Sequence, residues 1–257
     1  MVAAIAASWL GRIEYRAAWD LQKRLVDRRA ADVRAATEAR APVLGDALLL
    51  LEHPAVLTLG RHADESHVLA DAASLAARGI EVIRVERGGE VTYHGPGQLV
   101  AYPIVALAGR GLLVRPFVRA LEGALIDTCA AFGVGADRRE GHPGCWVDAE
   151  GPAPRKIGAL GVRIERGVSY HGIALNVDPD LADFDLIDPC GMPGVASTSI
   201  ARELARAGAP FDATDAVRRA ATAFAEAFAV RLEAPLAWRP AADLEPRGLL
   251  AAAGTAA

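Results

Sequence analysis

Lys156-Ile157-Gly158-Ala159-Leu160-Gly161-Val162-Arg163-Ile164-Glu165-Arg166-Gly167-Val168-Ser169-Tyr170-His171-Gly172-Ile173-Ala174-Leu175-Asn176-Val177 is the stretch whose pattern decides the fold. Leu160, Val162 and Ile164 alternate along its first half, and Ile173, Leu175 and Val177 alternate along its second. Glu165-Arg166-Gly167 supplies a turn between them. A period of two on both sides of a glycine turn predicts an antiparallel β-hairpin.

Upstream, Ala47–Leu51 and Val56–Leu59 are short apolar runs bounded by Gly45-Asp46, His53-Pro54 and Gly60, as expected of buried strands. Ile80–Val85 and Leu99–Val105 read as strands flanking a glycine-rich loop. An alanine- and arginine-rich helix is expected over about Arg16–Arg40. A second begins at Pro116, where Phe117, Leu121, Leu125, Thr128 and Phe132 recur at helical spacing. The last long helix starts near Asp212, a suitable N-cap, and turns Val217, Ala221, Phe224 and Phe228 one way. Mixed order without regular βαβ alternation points to an α+β fold, a mixed and mainly antiparallel sheet flanked by helices. Residues 1–240 are expected to form one domain and residues 241–257 a loosely ordered tail.

A formal charge of −4 leaves no electrostatic footprint for nucleic acid. The apolar start, Met1 to Leu10, lacks a leading positive charge and is broken at Gly11-Arg12, too short to span a bilayer. Three cysteines, Cys129, Cys145 and Cys190, form neither a disulfide framework nor a C-x-x-C metal site, which suits a reducing cytoplasm. No ligand spacing for a metal is present, and no G-x-S-x-G elbow.

Three segments could carry chemistry. Arg87-Gly88-Gly89-Glu90-Val91-Thr92-Tyr93-His94-Gly95-Pro96-Gly97-Gln98 is either an elaborate turn or a loop whose glycines let backbone approach a ligand. It lacks a phosphate-loop pattern, and Glu90 would repel a bound anion. Lys156 enters the hairpin ahead of small residues, and is either a surface lysine at a strand edge or an amine aimed into a cavity. Only Lys23 and Lys156 are lysines among 28 cationic residues; surviving lysines are enriched where an always-charged guanidinium cannot serve, while Lys23, beside Arg24 on an expected exposed helix face, reads as an ordinary surface lysine. Cys190 sits in Asp188-Pro189-Cys190-Gly191-Met192-Pro193-Gly194, either as an inert small residue or as an accessible thiol whose neighbouring N–H groups favour a thiolate. Cys129 lies on a helical stripe and Cys145 in an expected strand, so neither is given a role. His94 and His171 are the remaining acid–base candidates, although an isolated histidine is more often a structural hydrogen-bonder than a catalyst.

In this order, Arg87–Gln98, Lys156–Gly161 running on to Val177, and Asp188–Ser199 resemble the lipoyl(octanoyl) transferases, over about Leu48 to Ile200. The resemblance implies a fold shared with lipoate and biotin ligases. It also implies transfer of octanoyl from octanoyl-acyl carrier protein to a lysine of lipoyl domains. Those domains belong to the E2 subunits of 2-oxoacid dehydrogenases and to the glycine cleavage H protein. Cys190 matches the acyl-thioester nucleophile and Lys156 the residue that lowers its pKa. Arg87, Gly88, Gly89, Glu90, Val91, Thr92, Tyr93 and His94 match substrate-contacting positions, as do Ala159-Leu160-Gly161 and Gly172-Ile173-Ala174. No metal, cofactor, nucleic acid or membrane is implied. The alternatives are an ATP-dependent lipoate or biotin protein ligase, against which Glu90 and Cys190 argue, and a non-catalytic module that captures carrier or lipoyl domains.

Overall fold

The computed structural model describes residues 4–37, 45–188 and 195–244. Its centre is the expected hairpin: β9 (Arg155–Glu165) and β10 (Val168–Asn176) pair antiparallel through Val168↔Glu165 to Leu175↔Gly158. Outward from β10 come β6 (Gln98–Ile104), β2 (Asp46–Glu52), β1 (Ile5–Arg12) and β12 (Leu236–Trp238). Outward from β9 come β8 (His142–Val147) and β7 (Asp137–Arg139), while the two-residue β11 (Ala196–Ser197) also pairs with β9. Pairings are antiparallel except β1 with β2 and β12, and β11 with β9. The sheet is thus mixed and mainly antiparallel.

Helices cover both faces, which explains why β2 and β6 read as unbroken apolar runs. Leu48 and Leu50 pack toward α3 (Val114–Ala131) and α5 (Ala216–Arg231), with Phe117, Leu121, Phe224 and Phe228. Leu49 and Leu51 pack the other way, against Leu21, Leu25 and Val26 of α1 (Tyr15–Thr37). A second sheet, β4 (Glu81–Arg84), β3 (Val56–Leu59) and β5 (Val91–His94), packs Val56 and Ile83 against Tyr15 and Trp19 at the start of α1. Between the strands lie the short α2 (Ala72–Ala77) and, before α5, α4 (Ile200–Arg206).

Several expectations need correction. The N-terminal stretch read only as apolar is strand β1, and its parallel pairing to β2 through α1 buries Ile5 and Ala7. A third of the glycine-rich loop, Val91–His94, is strand β5. The last helix begins at Ala216, not Asp212: the Asp212 carboxylate accepts from Thr214 N at 2.9 Å and pairs with Arg219, closing a turn ahead of the helix. Helix α3 begins at Val114, which leaves Pro116 in its first turn, where no amide N–H is needed. Of the segment expected to be loosely ordered, Ala241–Leu244 forms a 3-10 turn with Leu244 buried; residues 245–257 lie outside the described residues.

The hairpin is held close to β6 at Gly172. A Cβ there would lie 2.1 Å from the Ala101 carbonyl oxygen and 2.7 Å from Cδ of Pro103, neither of which can move aside. Gly172→Ala is therefore expected to lower the urea-unfolding free energy by about 1–3 kcal/mol. An unchanged midpoint would show that the strands separate without penalty.

Candidate active site

Across the hairpin, Gly161 faces Gly172 and Ala159 faces Ala174. Small side chains in register leave a low surface on the sheet, and the Arg87–Gly89 segment lies on it. Gly88 N–H donates to the Val162 carbonyl at 3.1 Å, and a Cβ on Gly161 would come within 2.7 Å of Gly88 O. Between roof and sheet lies a cavity of about 770 Å³, counting its open mouth. Arg87, Gly89, Glu90, Val91, Thr92, His94, Ala159, Leu160, Gly161, Gly172, Ile173 and Ala174 all line it, together with Lys156. Two expected contacts do not. Gly88 lines an adjoining open pocket, and Tyr93, on the opposite face of β5, packs with Leu57 and donates its hydroxyl to Asp183 at 2.6 Å. Tyr15, Gln98, Tyr102, Asn176, Phe184 and Ser197 also line the cavity; Gln98, Asn176 and Ser197 fall within the matched stretches, while Tyr15, Tyr102 and Phe184 carried no sequence signal beyond residue type.

Lys156 is half-buried, its Nζ 5.2 Å from the Trp146 ring centroid. Its carbonyl accepts from Thr198 N–H at 2.9 Å, and β11 runs beside it with Ser197 in register with Lys156. The chain leaving the Cys190 loop is thereby anchored against the lysine. At the other described end, Asp188 N–H donates to His67 O at 2.8 Å. Cys190 itself lies in residues 189–194, outside the described residues. The other two cysteines are buried, and the Cys145 thiol is pushed far up by its hydrogen bond to Cys129 and by burial, so it is an inert thiol.

One chain of hydrogen bonds ties the roof to the lysine. Gln98 Oε1 accepts from His94 Nδ1 at 2.8 Å, and Gln98 Nε2 donates to Asn176 Oδ1 at 2.9 Å. Asn176 Nδ2 then donates to the Thr198 carbonyl at 2.9 Å. His53 Nδ1 donates to Ile13 O at 2.7 Å, so its Nε2 accepts from the Tyr102 hydroxyl at 2.8 Å. Burial holds His53 down at about 4, and burial with the neighbouring His53 holds His94 at about 3. His171 is held at about 3 by burial and by the Arg87 guanidinium. Arg87 is itself buried, donating to Thr58 O at 2.7 Å and to Thr58 Oγ1 at 2.9 Å. The inner walls are therefore neutral imidazoles, phenols and backbone around one fixed cation. Among the described residues no cluster of three or more His, Cys, Asp or Glu could hold a metal, and no helix is long and apolar enough to cross a membrane.

The description "Lipoyl protein ligase A/B catalytic domain" belongs to a family model that matches residues 14–225. The chain belongs to this family. Relatives of the lipoyl protein ligase A/B family named octanoyltransferase include one from Chloroflexus aurantiacus, 49% identical over 80% of this chain and 86% of its own. Another, from Mycolicibacterium gilvum, is 45% identical over 84% of this chain and 83% of its own. The fold is that of solved lipoate ligases. A putative lipoate protein ligase from T. acidophilum superposes with a TM-score of 0.62 at 15% identity, covering 95% of this chain and 92% of that one. Lipoate-protein ligase A bound with ATP gives 0.63 at 14% identity, over 96% and 92%.

The neutral histidines set a pH dependence. His53, His94 and His171 have folded-state values below the unfolded value near 6.5, so unfolding at mildly acid pH takes up protons. Stability is fully present above about pH 6.5 and falls as the pH drops toward 4, with a limiting slope of about 4 kcal/mol per pH unit for three histidines. Urea unfolding at pH 7, 6 and 5 checks this; equal stability at pH 7 and 5 contradicts it.

Proposed function

We propose that this protein is an octanoyltransferase, which moves octanoyl from octanoyl-acyl carrier protein to a lysine amine of lipoyl domains through a thioester on Cys190. The observation that carries the reading is the position of Lys156, on the cavity wall and in register with the exit of the Cys190 loop. The names of the relatives support octanoyl transfer. With Cys129 and Cys145 buried, Cys190 is the cysteine suited to nucleophilic work.

A free thiol ionises near 8.5, so only a few per cent is thiolate at neutral pH, and a nearby ammonium raises that fraction. The thiolate attacks the carrier thioester, the carrier C–S bond breaks, and the carrier leaves as its thiol with one proton. The acceptor amine then attacks the Cys190 thioester, forming the amide C–N bond and expelling the sulfur. The amine gives up its proton as it attacks, and Lys156 relays it. Thioester exchange is near thermoneutral and amide formation is downhill, so the reaction needs no ATP. The acyl chain lies along Ala159, Leu160, Ile173 and Ala174, where each buried methylene contributes about 0.8 kcal/mol. The acceptors are lipoyl domains of 2-oxoacid dehydrogenase E2 subunits and the glycine cleavage H protein, and the setting is the cytoplasm.

Octanoyl-acyl carrier protein and an apo-lipoyl domain, mixed with the protein and no nucleotide, should give octanoylated lipoyl domain. Octanoate with ATP should give none, and robust ATP-dependent transfer would instead establish a ligase. Lys156→Arg keeps the charge but cannot relay a proton, so kcat should drop at least about 100-fold. Full activity in that variant would exclude the relay.

A further inference from the structure

Lys156 stands where two spaces meet, lining both the acyl cavity and the open pocket beside it. The sheet on either side shows how it is set there. Its ladder partner in β11 is Ser197, and its partner in β8 is Trp146. Between the Cys145–Gly158 and Trp146–Lys156 pairings the register slips, leaving Ile157 as an extra residue on β9. A β-bulge of this kind re-aims the side chain next to it.

The slot that receives the lysine has two walls. Gly144 is one: a Cβ there would lie 3.0 Å from Lys156 Cε and 2.6 Å from Gly158 O, and its φ of +135° is one that side chains rarely adopt. Its N–H donates at 3.2 Å to the buried Glu122 carboxylate, which also accepts from Arg119 and Arg138. The other wall is the Trp146 ring, with Lys156 Nζ 5.2 Å from its centroid. The indole is fixed in turn, since its N–H donates to His142 O at 3.0 Å and its ring also meets the Arg139 guanidinium at 5.7 Å. Trp146 is 0% exposed and lines neither space, so it does not touch a substrate in either.

The face of an indole is electron-rich and attracts an ammonium within about 6 Å of its centre. A carboxylate partner would cancel the positive charge; a ring face leaves it in place. The lysine stem is long and flexible, and a fixed ring opposite it removes the freedom to carry the amine elsewhere. We propose that Trp146 is a positioning residue for Lys156, its ring face and Gly144 together holding the ammonium at the junction of the two spaces. What the lysine then does rests on the octanoyltransferase reading.

Trp146→Phe and Trp146→Leu separate the ring face from its bulk. Both drop the bond to His142 O and leave comparable space, and only Phe keeps an aromatic face. Trp146→Leu should lower kcat for octanoyl transfer at least about tenfold, with KM for octanoyl-acyl carrier protein within about twofold of the wild type, whereas Trp146→Phe should hold kcat within about threefold. A second readout needs no transfer. The chain has two lysines, so NMR of protein carrying isotope-labelled lysine shows two sets of ε-methylene signals, assigned with Lys156→Arg. The ring should shift the Lys156 ε-protons upfield of free lysine in the wild type, and in Trp146→Leu they should return to the free-lysine position. Lys23, whose Nζ lies 4.3 Å from the Trp19 ring centroid, should keep its signal in both. Absence of octanoyl transfer counts against the function alone, and the lysine signals still decide the contact. An unshifted Lys156 signal in the wild type, full kcat in Trp146→Leu, or an equal loss of kcat in the Phe and Leu variants overturns the inference.

Discussion

The close pairing of Gly161 with Gly172 across the central hairpin is the constraint on which the site depends. Without side chains at these positions, the Gly88 backbone reaches the Val162 carbonyl, and Arg87 lies flat over β9. The same glycine on β10 lets that strand press onto β6. A side chain on either residue would lift the roof from the sheet or push β10 away from β6. The cavity is thus a consequence of strand register, bounded by backbone that cannot retreat, rather than a gap between mobile side chains.

Register also determines how charge is arranged. Lys156 lies near the open end of the hairpin and carries β11, the first described strand after the Cys190 loop. Arg87 is buried on the same wall, where the loss of water, with a smaller contribution from its charge, keeps His94 and His171 neutral. The His94–Gln98–Asn176 chain joins the roof to the backbone beside the lysine. A displacement of β5 would therefore be felt at Lys156 through hydrogen bonds, without any ionised group being moved.

Much of this was legible from residue order. The hairpin, the buried runs of β2 and β6 and the stripe of α3 follow from periodicity, because burial on one face or two leaves a direct trace in apolar spacing. Strand β1 escaped because its apolar residues, Ile5 to Leu10, run on without a period-two alternation. Strand β5 was hidden among glycines that serve its neighbours, and Asp212 misled because an aspartate closes a turn as readily as it caps a helix. Of the site, the glycine loop and the hairpin segments were visible as motifs. Tyr15 and Tyr102 were not, since each comes from an element whose packing partner is distant in sequence. Cys190 and Lys156 stand 34 positions apart, and the pairing of β11 with β9 is what relates their segments.

The central claim is that the acyl group passes through a covalent thioester on Cys190. Mass spectrometry of the intact chain after brief incubation with octanoyl-acyl carrier protein, followed by peptide mapping, tests it most directly. The account predicts one added octanoyl group on the peptide containing Cys190, removed by hydroxylamine at neutral pH, discharged by an apo-lipoyl domain and missing in Cys190→Ser. An unmodified wild-type chain that still octanoylates the lipoyl domain, or an adduct on another residue, would contradict it.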